Sequence, residues 1–255
     1  MRREIKSETD SDKEMLMSEG QRNEGKVCAV VGVGPGNGES LVRRFAQEGY
    51  RVAAMARHED ELEELVGDID GVEVFGCDAT DEASVDGAFD RVAEELGEVD
   101  TLLYNAGTGV WGKLMEVEAD DLQMSWKVNT LGLFHCAQKV VPKMLDNGGG
   151  TIGVTGATAA MRGKPFTTAF AQAKGAQRML AESMARELGP KNIHVFYYVV
   201  DGVIDSPRTR EMMSDKPDEF FLKPDDIAEA VCAVAHQPRS AWTFQLDLRP
   251  FGEEW

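Results

Sequence analysis

Val27-Cys28-Ala29-Val30-Val31-Gly32-Val33-Gly34-Pro35-Gly36-Asn37-Gly38-Glu39-Ser40-Leu41-Val42 is the stretch on which the fold turns. A short run of small and β-branched apolar residues reads as a strand, Val27 to Val33, and it passes through a glycine-rich turn straight into a helical pattern from Glu39. Glycines allow the tight turn and let backbone amides approach a pyrophosphate. The helix N-terminus behind them adds a partial positive charge. Turn-forming glycines alone are weak evidence; at the first strand-to-helix turn of an α/β chain they point to a bound dinucleotide.

Outward from this turn, β-like runs alternate with longer helical ones. Further strands are expected at Arg51 to Ala56, Val72 to Cys77, Val99 to Tyr104, Thr151 to Thr155, Ile193 to Val200 and Trp242 to Leu248. Helices are expected at Glu39 to Glu48, Glu59 to Val66, Ser84 to Leu96, Leu122 to Leu145, Thr168 to Leu188 and Asp225 to His236. Right-handed crossovers place the helices on both faces, predicting one Rossmann-type, doubly wound α/β domain with a seven-stranded, mainly parallel sheet.

The chain has 255 residues, 42% of them apolar, enough for one sizeable core. Residues 1–24 are polar and of mixed charge, and read as a disordered tail ahead of a domain at 25–255, with Met15 and Met17 as alternative starts. No long apolar run marks a membrane span and no apolar leader an export signal, which predicts a cytoplasmic protein. A net charge of −18 argues against a nucleic-acid partner. The acids are spread along the chain as a solvated surface, and adaptation to high salt and an ordinary acidic surface both remain open. Cys28, Cys77, Cys136 and Cys232 lie singly in runs that read as buried elements, so they are expected to be reduced. The four histidines show no metal-ligand spacing, and no metal is expected.

The glycine spacing Gly32-x3-Gly36-x-Gly38, with Cys77-Asp78-Ala79-Thr80-Asp81, Asn105-Ala106-Gly107, Val128-Asn129-Thr130-Leu131-Gly132 and Ala169-Phe170-Ala171-Gln172-Ala173-Lys174, resembles the short-chain dehydrogenase/reductase family across residues 26–255. The resemblance implies a cofactor site built from Gly32, Gly34, Pro35, Gly36, Asn37, Gly38, Asp78, Ala79, Asn105, Ala106 and Gly107. In the family an aspartate ends the second strand when NAD is preferred. Here the strand runs into Arg57-His58, and a guanidinium suits a 2′-phosphate, so NADP is implied ahead of NAD. NAD remains open: a plain surface arginine is the alternative, and Glu59 could then meet a ribose hydroxyl.

The catalytic segment departs from the family. Phe170 stands where the resemblance expects a tyrosine, and Ala157 where it expects a serine. Lys174, which in the family binds the nicotinamide ribose, and Asn129, which supports that lysine through water, are both present. Candidate proton donors are Thr155, Thr158, Thr167, Thr168, Tyr197, Tyr198, a water held by Lys174 and Asn129, or Lys174 itself, because a desolvated lysine titrates nearer neutrality.

After the sixth strand, Val200-Asp201-Gly202-Val203-Ile204-Asp205-Ser206 resembles the family segment over the nicotinamide, with Asp201 in place of proline, which adds Gly202, Val203 and Ser206 to the cofactor set. Pro207 to Leu222 reads either as a mobile lid over a partly apolar pocket or as an ordinary surface loop. In the family the helices corresponding to Leu122 to Leu145 and Thr168 to Leu188 form a four-helix dimer contact, so the resemblance implies a homodimer or homotetramer, to which the end of the chain at Trp255 could add a second contact. Two functions follow: an NADP(H)-dependent reductase of a carbonyl or activated double bond in a small molecule, with a non-standard proton donor, or a noncatalytic NADP(H)-binding protein acting as sensor or partner subunit.

Overall fold

The computed structural model describes residues 23–253. Nine strands form, in chain order, at β1 (Val27–Val31), β2 (Arg51–Ala56), β3 (Val72–Gly76), β4 (Val99–Tyr104), β5 (Gly150–Ala157), β6 (Ile193–Val200), β7 (Val203–Ile204), β8 (Phe221–Leu222) and β9 (Gln245–Leu248). The main sheet has seven strands in the order β3-β2-β1-β4-β5-β6-β9. Every pairing in it is parallel. The short pair β7–β8, not expected from the sequence, stands apart at the base of the 207–222 segment. β1 stops two residues short of its expected end because Gly32 takes a φ of +91° and turns the chain out of the sheet.

The helices are α1 (Asn37–Gln47), α2 (Glu59–Val66), α3 (Glu82–Glu95), α4 (Ala119–Trp126), α5 (Gly132–Asp146), α6 (Thr168–Leu188), α7 (Pro207–Met212) and α8 (Pro224–Ala235). Strand alternation splits the core into two layers. Val27, Ala29 and Val31 of β1 face α3, α5 and α6. Cys28 and Val30 face α1, α2 and α8. All four cysteines are buried and free. The helix expected at 122–145 is interrupted: a π-helical turn at Lys127–Leu131 joins α4 to α5 and carries Asn129, which is fully buried.

The expected tail overruns the structure slightly. Asn23 is buried and donates from Nδ2 to the carbonyl of Glu48, so the domain begins before residue 25; residues 1–22 and Trp255 lie outside the described residues. No described helix is long and apolar enough to cross a membrane.

Candidate active site

All seven strands of the main sheet run the same way, so their C-terminal ends share one edge, and the loops leaving β1, β4, β5 and β6 converge there. At β1, Gly36 takes a φ of +101° and delivers the chain into α1; the Glu39 and Ser40 amides donate back to the carbonyls of Gly34 (3.2 Å) and Gly36 (3.0 Å), and the amides of Asn37 and Gly38 stand at the helix N-terminus without an intrahelical acceptor. A Cβ on Gly34 would meet no atom within 4 Å, leaving open space over the turn, whereas one on Gly36 would sit 3.4 Å from Cβ of Ser206. The turn is thus a cradle walled on one side by the Asp205–Ser206 segment. That geometry fits a dinucleotide pyrophosphate.

A polar network runs beneath the cradle. Asn105 donates from Nδ2 to the carbonyl of Gly32 at 2.8 Å, and its Oδ1 accepts from Asn37 Nδ2 at 2.6 Å and from the Thr155 hydroxyl at 2.9 Å. Thr155 also hydrogen-bonds the hydroxyl of Tyr198. This removes three expected proton donors. Thr155 is buried and used to tie β5 to β4 and β6. The hydroxyl of Tyr198 belongs to the same network, and burial pushes it up to about 12. Tyr197 is buried against the opposite layer, 3.4 Å from Oε1 of Gln177, and desolvation raises its phenol as well.

Lys174, on the second turn of α6, is 4% exposed. Its Nζ donates to the carbonyl of Thr155 at 2.8 Å and to Oε1 of Gln177 at 3.0 Å. Burial pulls its ammonium down to about 7. Beside it, Asn129 Nδ2 donates to the carbonyls of Ser125 (2.8 Å) and Thr108 (3.0 Å), while its Oδ1 is buried without a hydrogen-bond partner. A Cβ on Gly107 would lie 3.2 Å from that Oδ1 and 3.6 Å from Lys174 Nζ, so the amide oxygen and the ammonium flank the same small gap. An unpartnered acceptor next to a cation suits a bound hydroxyl or water.

Gln177 went unnoticed in the sequence. It is fully buried, accepts from Lys174 and donates from Nε2 to the carbonyl of Asn129 at 2.6 Å, holding α6 against the π-turn. The available signal was a polar residue three after Lys174 on a helix that is otherwise apolar on that side.

Phe170 lies one turn before Lys174, with Nζ 6.0 Å from its ring centroid. The ring packs at 5.4 Å from Trp111, which stacks on Phe166 at 5.7 Å. Thr158, at the start of the turn after β5, donates its hydroxyl to Oδ1 of Asp201. Asp201 is buried and also faces Arg249 at 3.4 Å and Arg162 at 3.8 Å. Asp201 therefore ties the ends of β5 and β6 to the segment after β9, and it engages the hydroxyl of Thr158. Thr167 turns its hydroxyl onto the backbone of Lys164.

At the far end, Arg57 is exposed after β2. Partial burial opposes ionisation of Asp78, but hydrogen bonds from the amide and hydroxyl of Thr80 and the charge of Arg57 outweigh it and hold the carboxyl below its usual range. Arg57 and Asp78–Ala79 thus share one corner. Glu59 is engaged through Oε1, which accepts from the amide of Gly76 at 2.9 Å and pairs with Arg91 at 2.8 Å.

Gly202 follows β6, Val203 lies in β7, and Ser206 is the N-cap of α7, where it exchanges hydrogen bonds with Thr209 in a capping box. The 207–222 segment is ordered at its root by Arg210, which bridges Asp205 and Asp218 at 2.6 Å each and lies over Phe221. Away from this edge, Glu48, Cys232 and His236 bring ligand-type atoms within 4.8 Å of one another, but Glu48 pairs with Arg44, and His236 bonds Tyr50 and the carbonyl of Cys232.

The sequence and fold are similar to those of known proteins. Residues 26–217 match the family described as short chain dehydrogenase. The chain is 30% identical over 240 residues to 7alpha-hydroxysteroid dehydrogenase of Escherichia coli K12, covering 89% of this chain and 93% of that protein. It is 29% identical over 237 residues to 3-oxoacyl-(acyl-carrier-protein) reductase FabG of Thermotoga maritima, covering 88% and 96% of the two chains. Among solved structures, the alcohol dehydrogenase of the archaeon Thermococcus sibiricus, complexed with 5-hydroxy-NADP, superposes with a TM-score of 0.80 at 28% identity, covering 90% of this chain and 98% of that one. With glycine turn, Asn-Ala-Gly loop, buried asparagine and buried lysine gathered on one sheet edge, the chain belongs to the short-chain dehydrogenase/reductase family.

Proposed function

We propose that the protein is an NADP(H)-dependent oxidoreductase that reduces a carbonyl or an activated double bond of a small molecule. The observation that carries this is the pairing of a buried lysine with an unpartnered asparagine oxygen at the inner end of a glycine-turn cradle. A bound nicotinamide supplies hydride. The Gly32–Gly38 turn and the first amides of α1 hold the pyrophosphate, Arg57 faces a 2′-phosphate, and Asp78–Ala79 border the adenine side. Asn105-Ala106-Gly107, Gly202-Val203 and Ser206 line the path inward, and Lys174 with Asn129 receives ribose hydroxyls.

Phe170 stands at the position of the family's tyrosine and offers no proton. With Thr155 and both tyrosines held in the core, and the Thr158 hydroxyl given to Asp201, Lys174 is the proton source we favour. Two of its N–H bonds are committed and the third has no hydrogen-bond acceptor among the described residues. Burial also brings it into the range where an amine gives up a proton at neutral pH. We further propose that copies associate through α4–α6, where Trp126, Phe134 and Met179 are 40%, 41% and 53% exposed.

The absent hydroxyl at Phe170 favours a second reading, a noncatalytic NADP(H) sensor or partner subunit. Titration with NADPH and NADH, followed by turnover assays on ketones, quinones and enones, separates the two. The reductase reading expects NADPH consumption with at least one class and a rise on Phe170→Tyr; tight NADPH binding with no turnover, unrescued by that substitution, leaves the sensor. Arg57→Ala is expected to cut the NADPH:NADH affinity ratio by about tenfold or more, one charge-assisted contact being worth about 1.5–3 kcal/mol; an unchanged ratio removes Arg57 from the 2′-phosphate.

A further inference from the structure

We propose that Trp111, Phe166 and Phe170 form a stacking wall that selects substrates whose reducible group is attached to a flat, conjugated ring. The inference rests on the oxidoreductase reading for what happens to the substrate, and on geometry for how it is held.

Trp111 and Phe166 are 59% and 46% exposed, a large apolar area to leave open on separate loops. They are held in place nonetheless. The amide of Gly112 donates to the carbonyl of Phe166 at 2.9 Å, and Gly112 bridges Thr167, which staples the loop after β4 to the approach to α6. The hydroxyl of Thr167 closes the turn under Phe166 by bonding both the amide and the carbonyl of Lys164. Gly109 lets the indole lie against the backbone, since a Cβ there would come within 2.8 Å of Trp111 Nε1. Trp111 and Phe166 are inclined by 29°, Trp111 and Phe170 by 40°.

The wall lies on the edge where the strands' C-terminal ends meet, the ligand-binding side of an open parallel sheet. It ends inward at Phe170, whose ring is 6.0 Å from Lys174 Nζ. A ring stacked there brings its substituent toward the ammonium. A phenol in place of Phe170 would put a polar hydroxyl into this surface. Its loss as a proton donor and its use as a packing face are two sides of one substitution.

The test compares two ketones with the same acetyl group, 2-acetylnaphthalene and its fully hydrogenated decalin counterpart. Both are titrated calorimetrically into the full-length protein with and without NADP+, which cannot reduce them. The flat ketone is expected to bind about tenfold more tightly or better, from the extra attraction of aromatic pairs beyond area burial. Trp111→Leu and Phe166→Leu are each expected to shrink that ratio at least about threefold, whereas Trp111→Tyr keeps it, with NADP+ affinity unchanged in all three. Equal binding of the two ketones, or a ratio untouched by both leucine variants, overturns the wall. A lower oligomeric mass for Trp111→Leu does so too, because it makes the rings an interface between copies. Steady-state rates with NADPH separate this proposal from the one beneath it. A retained ring preference without turnover sinks the reductase and leaves the wall; turnover without ring preference does the reverse.

Discussion

Gly32→Ala is expected to lower the thermal midpoint of unfolding by about 8–15 °C, from a loss of about 3–5 kcal/mol in a domain of this size. The added methyl has nowhere to go. Built on the native backbone, it lies 2.3 Å from the amide nitrogen and 2.4 Å from Cα of Ala106, main-chain atoms that cannot rotate aside. At a φ of +91° it also meets the steric penalty that L side chains carry in that region. The displaced partner is the Asn-Ala-Gly loop, so the strain propagates into the Asn105 network and from there to β5 and β6. Gly34→Ala, two residues on, is the contrasting case. With no atom within 4 Å, the methyl is expected to leave stability within about 0.5 kcal/mol and to weaken NADPH binding about tenfold or more, because it fills the cradle. Calorimetric melting and cofactor titration of the two variants check both halves. A melting change under about 2 °C for Gly32→Ala would falsify the packing described at Ala106.

Lys174→Met is expected to lower kcat by about 10²–10⁴ and to flatten the dependence of stability on pH above neutrality. In the unfolded chain a lysine keeps its proton up to about 10.5; in the fold, burial brings Lys174 to about 7. Between those values the unfolded state holds the extra proton, so the wild-type fold gains stability as pH rises, by at most about 1.4 kcal/mol per pH unit. Below about 7 both states are charged and the fold carries the whole cost of burying the ammonium. Methionine has no proton to lose. It takes the ammonium donor from the Thr155 carbonyl and from Gln177 Oε1, to which the Tyr197 hydroxyl remains at 3.4 Å, a constant penalty of about 1–3 kcal/mol. The offset between the two proteins therefore mixes several effects, and the slope isolates one. Urea unfolding without cofactor should show the wild type gaining about 2–3 kcal/mol on the variant from pH 7 to pH 9. Parallel profiles would mean that the fold does not loosen the proton on Lys174, which removes the ground for choosing it as the acid.

How much of this is legible in the sequence depends on the range of the physics involved. Strand and helix alternation is local, and the path from Val27 to Leu248 could be read from periodicity and glycine punctuation to within a few residues at most ends. The place of Phe170, one turn before Lys174 on the same helix, was equally legible, being set by a spacing of four residues. Contacts joining distant segments were not. Nothing near Thr155 in the chain indicates that its hydroxyl meets Asn105 and Tyr198, or that the Thr158 hydroxyl goes to Asp201, and both threonines therefore looked available as donors. Tyr197 and Tyr198 looked equally suitable because strand alternation buries them in opposite layers only once both faces of β6 are covered. The π-turn escaped because one extra residue in a helical turn leaves the apolar pattern almost intact. Trp111 sits in a loop without periodicity, so its partners became visible only when the bridge between Gly112 and Thr167 closed.

The strand order carries a further implication. Winding starts in the middle of the sheet, goes outward through β2 to β3, then resumes at β4 and goes outward the other way. The glycine turn and the Arg57–Asp78 corner are consequently drawn from one unbroken stretch, residues 27 to 79, and the Trp111–Phe166–Phe170 rings, Lys174 and the 207–222 segment all come from beyond residue 104. The two halves of the site can be revised separately in evolution. On the function proposed above, exchange of the later loops would re-aim the protein at a different molecule and leave nucleotide choice with the earlier stretch. A family built on this winding can therefore diversify by editing one side of a seam.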